Sequence, residues 1–191
     1  MDYLKKGFLK AFLVGILVSF SSAAFSFEYE WADSNEELLT YVKNHKEFIV
    51  QDASVSYVKG KPYREYIEAV AVQYGVPKEL YVLAAIESAY EPNATSGAGA
   101  KGMWQFMKGA SKDMGLMNHI DDNRTNWEKS TVAAMKYIKY LAEEHFNGDY
   151  ELAILAYNAG LGTVKNAIYK NQTADVWVLL KDKKSFRKES R

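Results

Sequence analysis

Apolar positions recur at helical spacing from Tyr63 onward: Tyr66, Ile67, Val70 and Tyr74 share one face, and the run stops at Gly75. The Val76-Pro77 step predicts the opening of a second helix, because proline is comfortable in a first turn. Further helices are predicted near Trp104 to Met114, Trp127 to Phe146, Tyr150 to Asn158, Thr163 to Lys170 and Ala174 to Leu180. Ahead of these lies a weakly patterned polar stretch, with Ser34 as a candidate N-cap for a short helix near Glu36 to Lys43. Alternation of β-branched with polar residues is confined to Val55 to Val58, so the pattern implies an all-α domain.

The first 26 residues follow another plan. Lys5, Lys6 and Lys10 lead into the apolar run Ala11 to Phe20, and the small residues Ser21, Ser22, Ala23 and Ala24 follow. That is the layout of a secretory signal peptide. The apolar run is well short of the roughly 20 residues that span a bilayer, so cleavage after Ala24 or Ser26 is expected rather than a stable membrane anchor. The expected organisation is a signal peptide over 1–26, a polar lead-in over 27–62 and a helical domain over 63–191.

Composition narrows the chemistry. The 191 residues suffice for one domain with a full core, and 24 Lys plus Arg balance 24 Asp plus Glu with no long basic run, which argues against nucleic acid as a partner. With no cysteine, disulfides, thiolate catalysis and Cys-type zinc sites are excluded together. Three dispersed histidines, His45, His119 and His145, give a metal site little support, so neither metal nor cofactor is expected.

The stretch Leu80 to Tyr90 reads Leu-Tyr-Val-Leu-Ala-Ala-Ile-Glu-Ser-Ala-Tyr, apolar on nearly every side, and predicts a helix buried at the domain centre and ended by Pro92. Glu87 sits within it, with Leu83, Ala84, Tyr90 and Glu91 at helical neighbour positions. An ordinary helical glutamate is a solvated surface group. A carboxyl in apolar surroundings instead keeps its proton to higher pH than usual, as a general acid must.

After Pro92 comes a loop whose glycines, Gly97, Gly99 and Gly102, match G-x-G-x-x-G. That dinucleotide fingerprint works only after a strand and within a βαβ unit, so the match carries no cofactor here. The glycines are better read as letting the backbone pass close to a ligand or to the Glu87 helix. Near the end, Tyr157 and Asn158 close a helix for which Gly160 is a suitable C-cap, and Trp104, Phe106 and Met107 read as core as readily as cleft.

Taken together, Glu87-Ser88, Pro92-Asn93-Ala94, Ser96, Gly99-Ala100-Lys101-Gly102-Met103-Trp104-Gln105-Phe106-Met107 and Ala156-Tyr157-Asn158-Ala159-Gly160 resemble the lytic murein transglycosylase (SLT) domain, closest to the membrane-bound D type. The resemblance runs from about Tyr63 to the C-terminus, with three motifs in order, and Arg124 to Ala134 resembles the family's approach to its next helix. It implies a lysozyme-like α-helical fold and peptidoglycan glycan strands as partner, in the periplasm or cell envelope of a bacterium. The β-1,4 bond between N-acetylmuramic acid and N-acetylglucosamine would be cut without water, leaving a 1,6-anhydromuramoyl end. By the same resemblance Glu87 is the single acid and base, Ser96, Gln105 and Met107 are substrate-contacting cleft positions, Tyr157 lies close to the glutamate and Asn158 beside it, and Ser88 and Glu189 are further candidates.

Two departures qualify the likeness. Lys108 stands where the family often has proline, and the terminal Glu189-Ser190-Arg191 resembles the start of a segment that in the family continues to a cleft tyrosine, with no wall-anchoring repeat following. Two other functions compete: a hydrolytic muramidase on the same fold, which would need a second carboxylate such as Glu91 or Asp113, and a non-catalytic murein-binding protein, which would leave Glu87 exposed and far from Tyr157.

Overall fold

A computed structural model of the protein describes residues 58–182 and 185–186. The signal-like segment, the expected helix near Glu36 to Lys43, residues 55–57 and Glu189 lie outside the described residues. Helix α1 covers 58–74 and ends at Gly75 with φ +68°. It is therefore already helical ahead of Tyr63, and Val58 belongs to it rather than to a strand. The reason is tertiary: Gly60 lies against the Tyr90 ring, where a Cβ would come within 2.5 Å of ring carbons. Spacing along the chain cannot announce such a contact.

A 3₁₀ turn, Lys78–Leu80, follows Pro77 and leads into α2 (Tyr81–Ser88). After an irregular loop come α3 (Lys108–Asp113), α4 (Trp127–His145), α5 (Tyr150–Ala159), α6 (Leu161–Asn171) and α7 (Val176–Lys181). Among the described residues β-structure is limited to isolated antiparallel bridges: Thr95 with Lys101, Lys101 with Phe106, and Met117 with Asp122. The helix starts are written locally. Asn126, Asp149 and Asp175 each accept a backbone N–H from the first turn of α4, α5 and α7, satisfying donors that the helix itself leaves unpaired.

Helix α5 forms the centre. Leu152, Ala153, Ile154, Leu155 and Ala156 are all buried, and α5 packs against α4, α6 and α7. The helix expected to occupy that place, around Glu87, is instead half-open: only Leu83 and Ala84 of α2 are buried, and Tyr81, Val82, Ala85 and Ile86 keep partial exposure. Its end also differs. Helix α2 stops at Ser88, four residues before Pro92, because Ala89 (φ +51°) and Tyr90 (φ +59°) turn left-handed and their N–H groups return to Ala85 and Ala84 carbonyls. Two successive non-glycine residues in that region carry strain, which Tyr90 offsets by burying its ring and donating its hydroxyl to the Tyr81 carbonyl at 3.1 Å. Tyr90 and Glu91 consequently do not continue the helical face that carries Glu87.

Candidate active site

The end of α2, the loop over 93–107 and the last turn of α5 converge on one another, and side-chain donors to loop carbonyls hold them there. Ser88 Oγ donates to the Met103 carbonyl at 2.8 Å, tying the residue after Glu87 to the loop. Its oxygen also accepts the Glu91 N–H at 3.0 Å, closing the turn beyond the helix. From the other side, the Tyr157 hydroxyl donates to the Trp104 carbonyl at 2.7 Å. Adjacent carbonyls of one loop thus receive a hydroxyl from α2 and one from α5. Trp104 is fully buried between them, its indole N–H donating to Thr131 Oγ1 of α4 at 2.9 Å.

The loop owes its shape to a buried guanidinium. Arg124, 1% exposed, grips Asp122 through two bonds of 2.8 Å and donates through Nη1 to the carbonyls of Gly99 (2.9 Å) and Phe106 (3.1 Å). These bonds hold the Asp122 carboxyl well below the usual carboxylate range, against the opposing effect of burial. Gly102 explains the glycine pattern: at φ +83° its missing Cβ would stand 1.8 Å from the Arg124 carbonyl oxygen. The close approach at Gly102 is made to the Arg124 backbone, and the next residue, Met103, meets the Glu87 helix through Ser88. Gly97 has open space where a Cβ would lie.

The expected helix over Trp104 to Met114 is confined to Lys108–Asp113. Lys101 and Phe106 pair through both backbone bonds (3.1 and 3.0 Å), leaving Gly102 to Gln105 as a tight turn with Gln105 at φ +47°. Lys108 opens α3 without a side-chain cap at Met107. Trp104 and Phe106 are core, and Met107 is 49% exposed at the rim.

The other sequence-derived candidates fall as follows. Glu87 is half-buried near the end of α2. Its negative charge, after burial and ahead of Tyr137, pushes the Tyr157 hydroxyl well above its ordinary pKa, so the carboxylate and the phenol share one electrostatic environment. Ser96 Oγ accepts the Ala100 N–H at 3.0 Å, and Gln105 Nε2 folds back on the Gly102 carbonyl at 2.9 Å, so both shape the loop. Asn158 Nδ2 donates within α5 to the Ile154 carbonyl at 3.2 Å, and Gly160 caps α5 at φ +84°. Glu91 is exposed, with its carboxylate accepting the Asn93 N–H at 3.2 Å, and Asp113 is exposed at the end of α3. The amino-acid pattern marks none of Arg124, Asp122 and Tyr137 as part of this site. An acidic pair followed by Asn123-Arg124 reads as a solvated loop, and nothing in its spacing announces a buried cation.

Among the described residues no group of three or more His, Cys, Asp or Glu could hold a metal, and no helix is long and apolar enough to cross a membrane. An open groove of about 570 Å³ runs along α1 past Arg64, Glu68 and Val72 and shares no lining residue with this site.

Fold and site define an α-helical domain in which the helix end carrying a glutamate and the helix carrying a tyrosine are both anchored on adjacent carbonyls of one loop. Comparison with known sequences places it further: the profile of the transglycosylase SLT domain matches residues 65–180, and the chain belongs to that family, whose fold is the lysozyme-like α-helical one. It is 35% identical over 127 residues to membrane-bound lytic murein transglycosylase D of Escherichia coli K12, covering 64% of this chain and 28% of that protein. It is 42% identical over 82 residues to peptidoglycan transglycosylase gp16 of Escherichia phage T7, covering 42% of this chain and 6% of that one. Membrane-bound lytic murein transglycosylase F of Haemophilus influenzae PittEE is 29% identical over 150 residues, 70% of this chain and 30% of that protein. The matches thus span less than a third of each of these relatives.

Proposed function

We propose that the protein is an exported peptidoglycan lytic transglycosylase that cleaves the β-1,4 bond between N-acetylmuramic acid and N-acetylglucosamine with Glu87 as its acid and base. Residues 1–26 serve as the signal peptide, 27–62 as a lead-in and 63–191 as the catalytic domain. The observation that carries the reading is geometric: half-buried Glu87 stands near the end of α2, where Ser88 is tied to the Met103 carbonyl while Tyr157 is anchored on the adjacent Trp104 carbonyl. A carboxyl set in this way, beside a phenol that stays protonated, suits proton transfer better than surface binding.

In the first step the protonated Glu87 carboxyl donates to the glycosidic oxygen as the C1–O bond breaks. The acetamido carbonyl of the muramic acid shields the anomeric carbon. The Glu87 carboxylate then takes the proton of the 6-hydroxyl as that oxygen bonds to C1, and no water is consumed. A well-oriented internal hydroxyl can reach an effective molarity of about 10⁵ M or more, far above that of water, so the intramolecular attack outruns hydrolysis. Ser96, Gln105, Met107 and Asn158 border the strand, and Ser88 holds the end of α2.

Mass analysis of fragments released from purified cell wall tests the proposal. Ends in 1,6-anhydromuramic acid, lighter than hydrolysed ends by one water, are expected. Glu87→Gln should fold and lose at least about a hundredfold in rate, because the amide can neither give nor accept the proton. Reducing muramic acid ends would make the protein a muramidase, and a Glu87→Gln variant within about tenfold of the parent would remove Glu87 from the chemistry.

A further inference from the structure

Tyr137, in the middle of α4, belongs to no sequence motif discussed above, yet it packs into the site. Its ring stands 5.7 Å from that of Tyr157 and 6.4 Å from that of Phe106, closing an aromatic triangle whose third side, Phe106 to Tyr157, is 6.0 Å. Two of the three members have their polar demands settled or have none: Tyr157 donates to the Trp104 carbonyl, and Phe106 has no polar side-chain atom. The Tyr137 hydroxyl makes no hydrogen bond among the described residues. It is not sealed off either, since among the described residues the buried side-chain polar atom left without a partner is His145 Nε2 and not the phenol oxygen.

Burial, then the charge of Asp113, then Tyr140, pushes the Tyr137 hydroxyl above its ordinary pKa. The group is therefore a neutral donor near pH 7. A half-enclosed phenol without a partner gives up part of its hydration for nothing in the free protein, and a ligand oxygen placed against it recovers that loss. Phe106 immediately precedes Met107, the exposed rim residue, so the triangle sits where the loop reaches the surface. Aromatic faces with one polar tip suit sugar rings, which present an apolar face and hydroxyls at their edge.

From this placement we propose that Tyr137 is a glycan-binding residue whose hydroxyl donates to an oxygen of the sugar unit lying beside Tyr157. The inference rests on the reading of the protein as a murein-cleaving enzyme and adds to it a contact on α4. Loss of one such bond should weaken binding by about three- to tenfold.

The test uses the full chain carrying Glu87→Gln, so that the substrate survives, and a soluble tetrasaccharide of alternating N-acetylglucosamine and N-acetylmuramic acid as the calorimetric probe. Addition of Tyr137→Phe should lower affinity by the stated factor while the melting temperature holds or rises, because no protein bond is lost. In the catalytically intact chain the same substitution should raise KM more than it lowers kcat. Unchanged affinity, or a melting temperature lowered by several degrees, would overturn the inference and make Tyr137 a packing residue. Absence of any tetrasaccharide binding to Glu87→Gln, with no cleavage of murein by the parent, would instead overturn the functional reading itself, so the two failures are distinct.

Discussion

Arg124→Met isolates the buried guanidinium as the element that fixes the site loop. Methionine keeps the length and apolar stem of the side chain but removes all four of its hydrogen bonds. The consequences are unequal. The Phe106 carbonyl retains the Lys101 N–H at 3.1 Å, whereas the Gly99 carbonyl loses its arginine donor. Asp122 keeps Lys101 Nζ at 3.4 Å and a side chain 29% exposed, so its carboxylate is not stranded in an apolar interior. Breaking a buried ion pair typically costs about 3–5 kcal/mol, and the residual solvation of Asp122 points to the lower end, about 3 kcal/mol. For a domain of this size that lowers the melting temperature by about 10 °C.

Acid titration supplies a second reading of the same variant. The folded-state pKa of Asp122 lies below its unfolded value, so between the two the folded state binds fewer protons and stability rises with pH. The contribution is complete above the ordinary carboxylate pKa of about 4 and is lost as pH falls through the depressed folded value. Urea unfolding followed by circular dichroism should therefore show parent and Arg124→Met drawing together in stability below about pH 4. A loss under about 1 kcal/mol at neutral pH, or a gap that stays constant on acidification, would refute the argument that the guanidinium organises the loop.

The remaining predictions concern the two sides of that loop. Tyr157→Phe leaves the Trp104 carbonyl without its 2.7 Å donor and should cost about 1–3 kcal/mol in urea unfolding together with about tenfold or more in turnover of murein; a fully active, fully stable variant would uncouple Tyr157 from the site. Gly102→Ala combines a left-handed φ of +83° with a Cβ 1.8 Å from the Arg124 carbonyl, so a destabilisation of about 3 kcal/mol or more is expected by thermal melting. Gly97→Ala, facing open space, should stay within about 0.5 kcal/mol of the parent, and equal effects at both glycines would contradict the close-approach account.

What the amino-acid pattern discloses is what is local. Trp127–His145 and Tyr150–Ala159 lie within a residue of their expected ends, because the periodicity, the caps Asn126 and Asp149 and the stop at Gly160 are all written within a few positions of the element they bound. The Glu87 motif was legible for the same reason. The end of α2 was not, because Pro92 is the obvious breaker in the sequence while the actual stop is a left-handed pair, Ala89 and Tyr90, held by the contact of Tyr90 with Gly60 and the Tyr81 carbonyl. Nor was the short α3, since Trp104 to Met107 have helix-compatible side chains whose backbone is claimed by the pairing of Lys101 with Phe106.

The same distinction separates the parts of the site. Motif residues such as Glu87 and Tyr157 declare themselves by type, whereas the groups that join the elements carrying them are main-chain carbonyls, which every residue possesses and no sequence marks. The carbonyls of Gly99, Met103, Trp104 and Phe106 become specific only when Arg124, Ser88 and Tyr157 reach them from 15 to 53 positions away. Each of these donors is a side chain from outside the loop, whereas the loop's own Ser96 and Gln105 bond only within it, Gln105 reaching as far as the Ala94 carbonyl. The geometry around Glu87 therefore depends on the packing of α2, α4 and α5 having already formed. Substitutions at the donors, far along the chain from Glu87, should disturb it more than substitutions at exposed loop positions beside it.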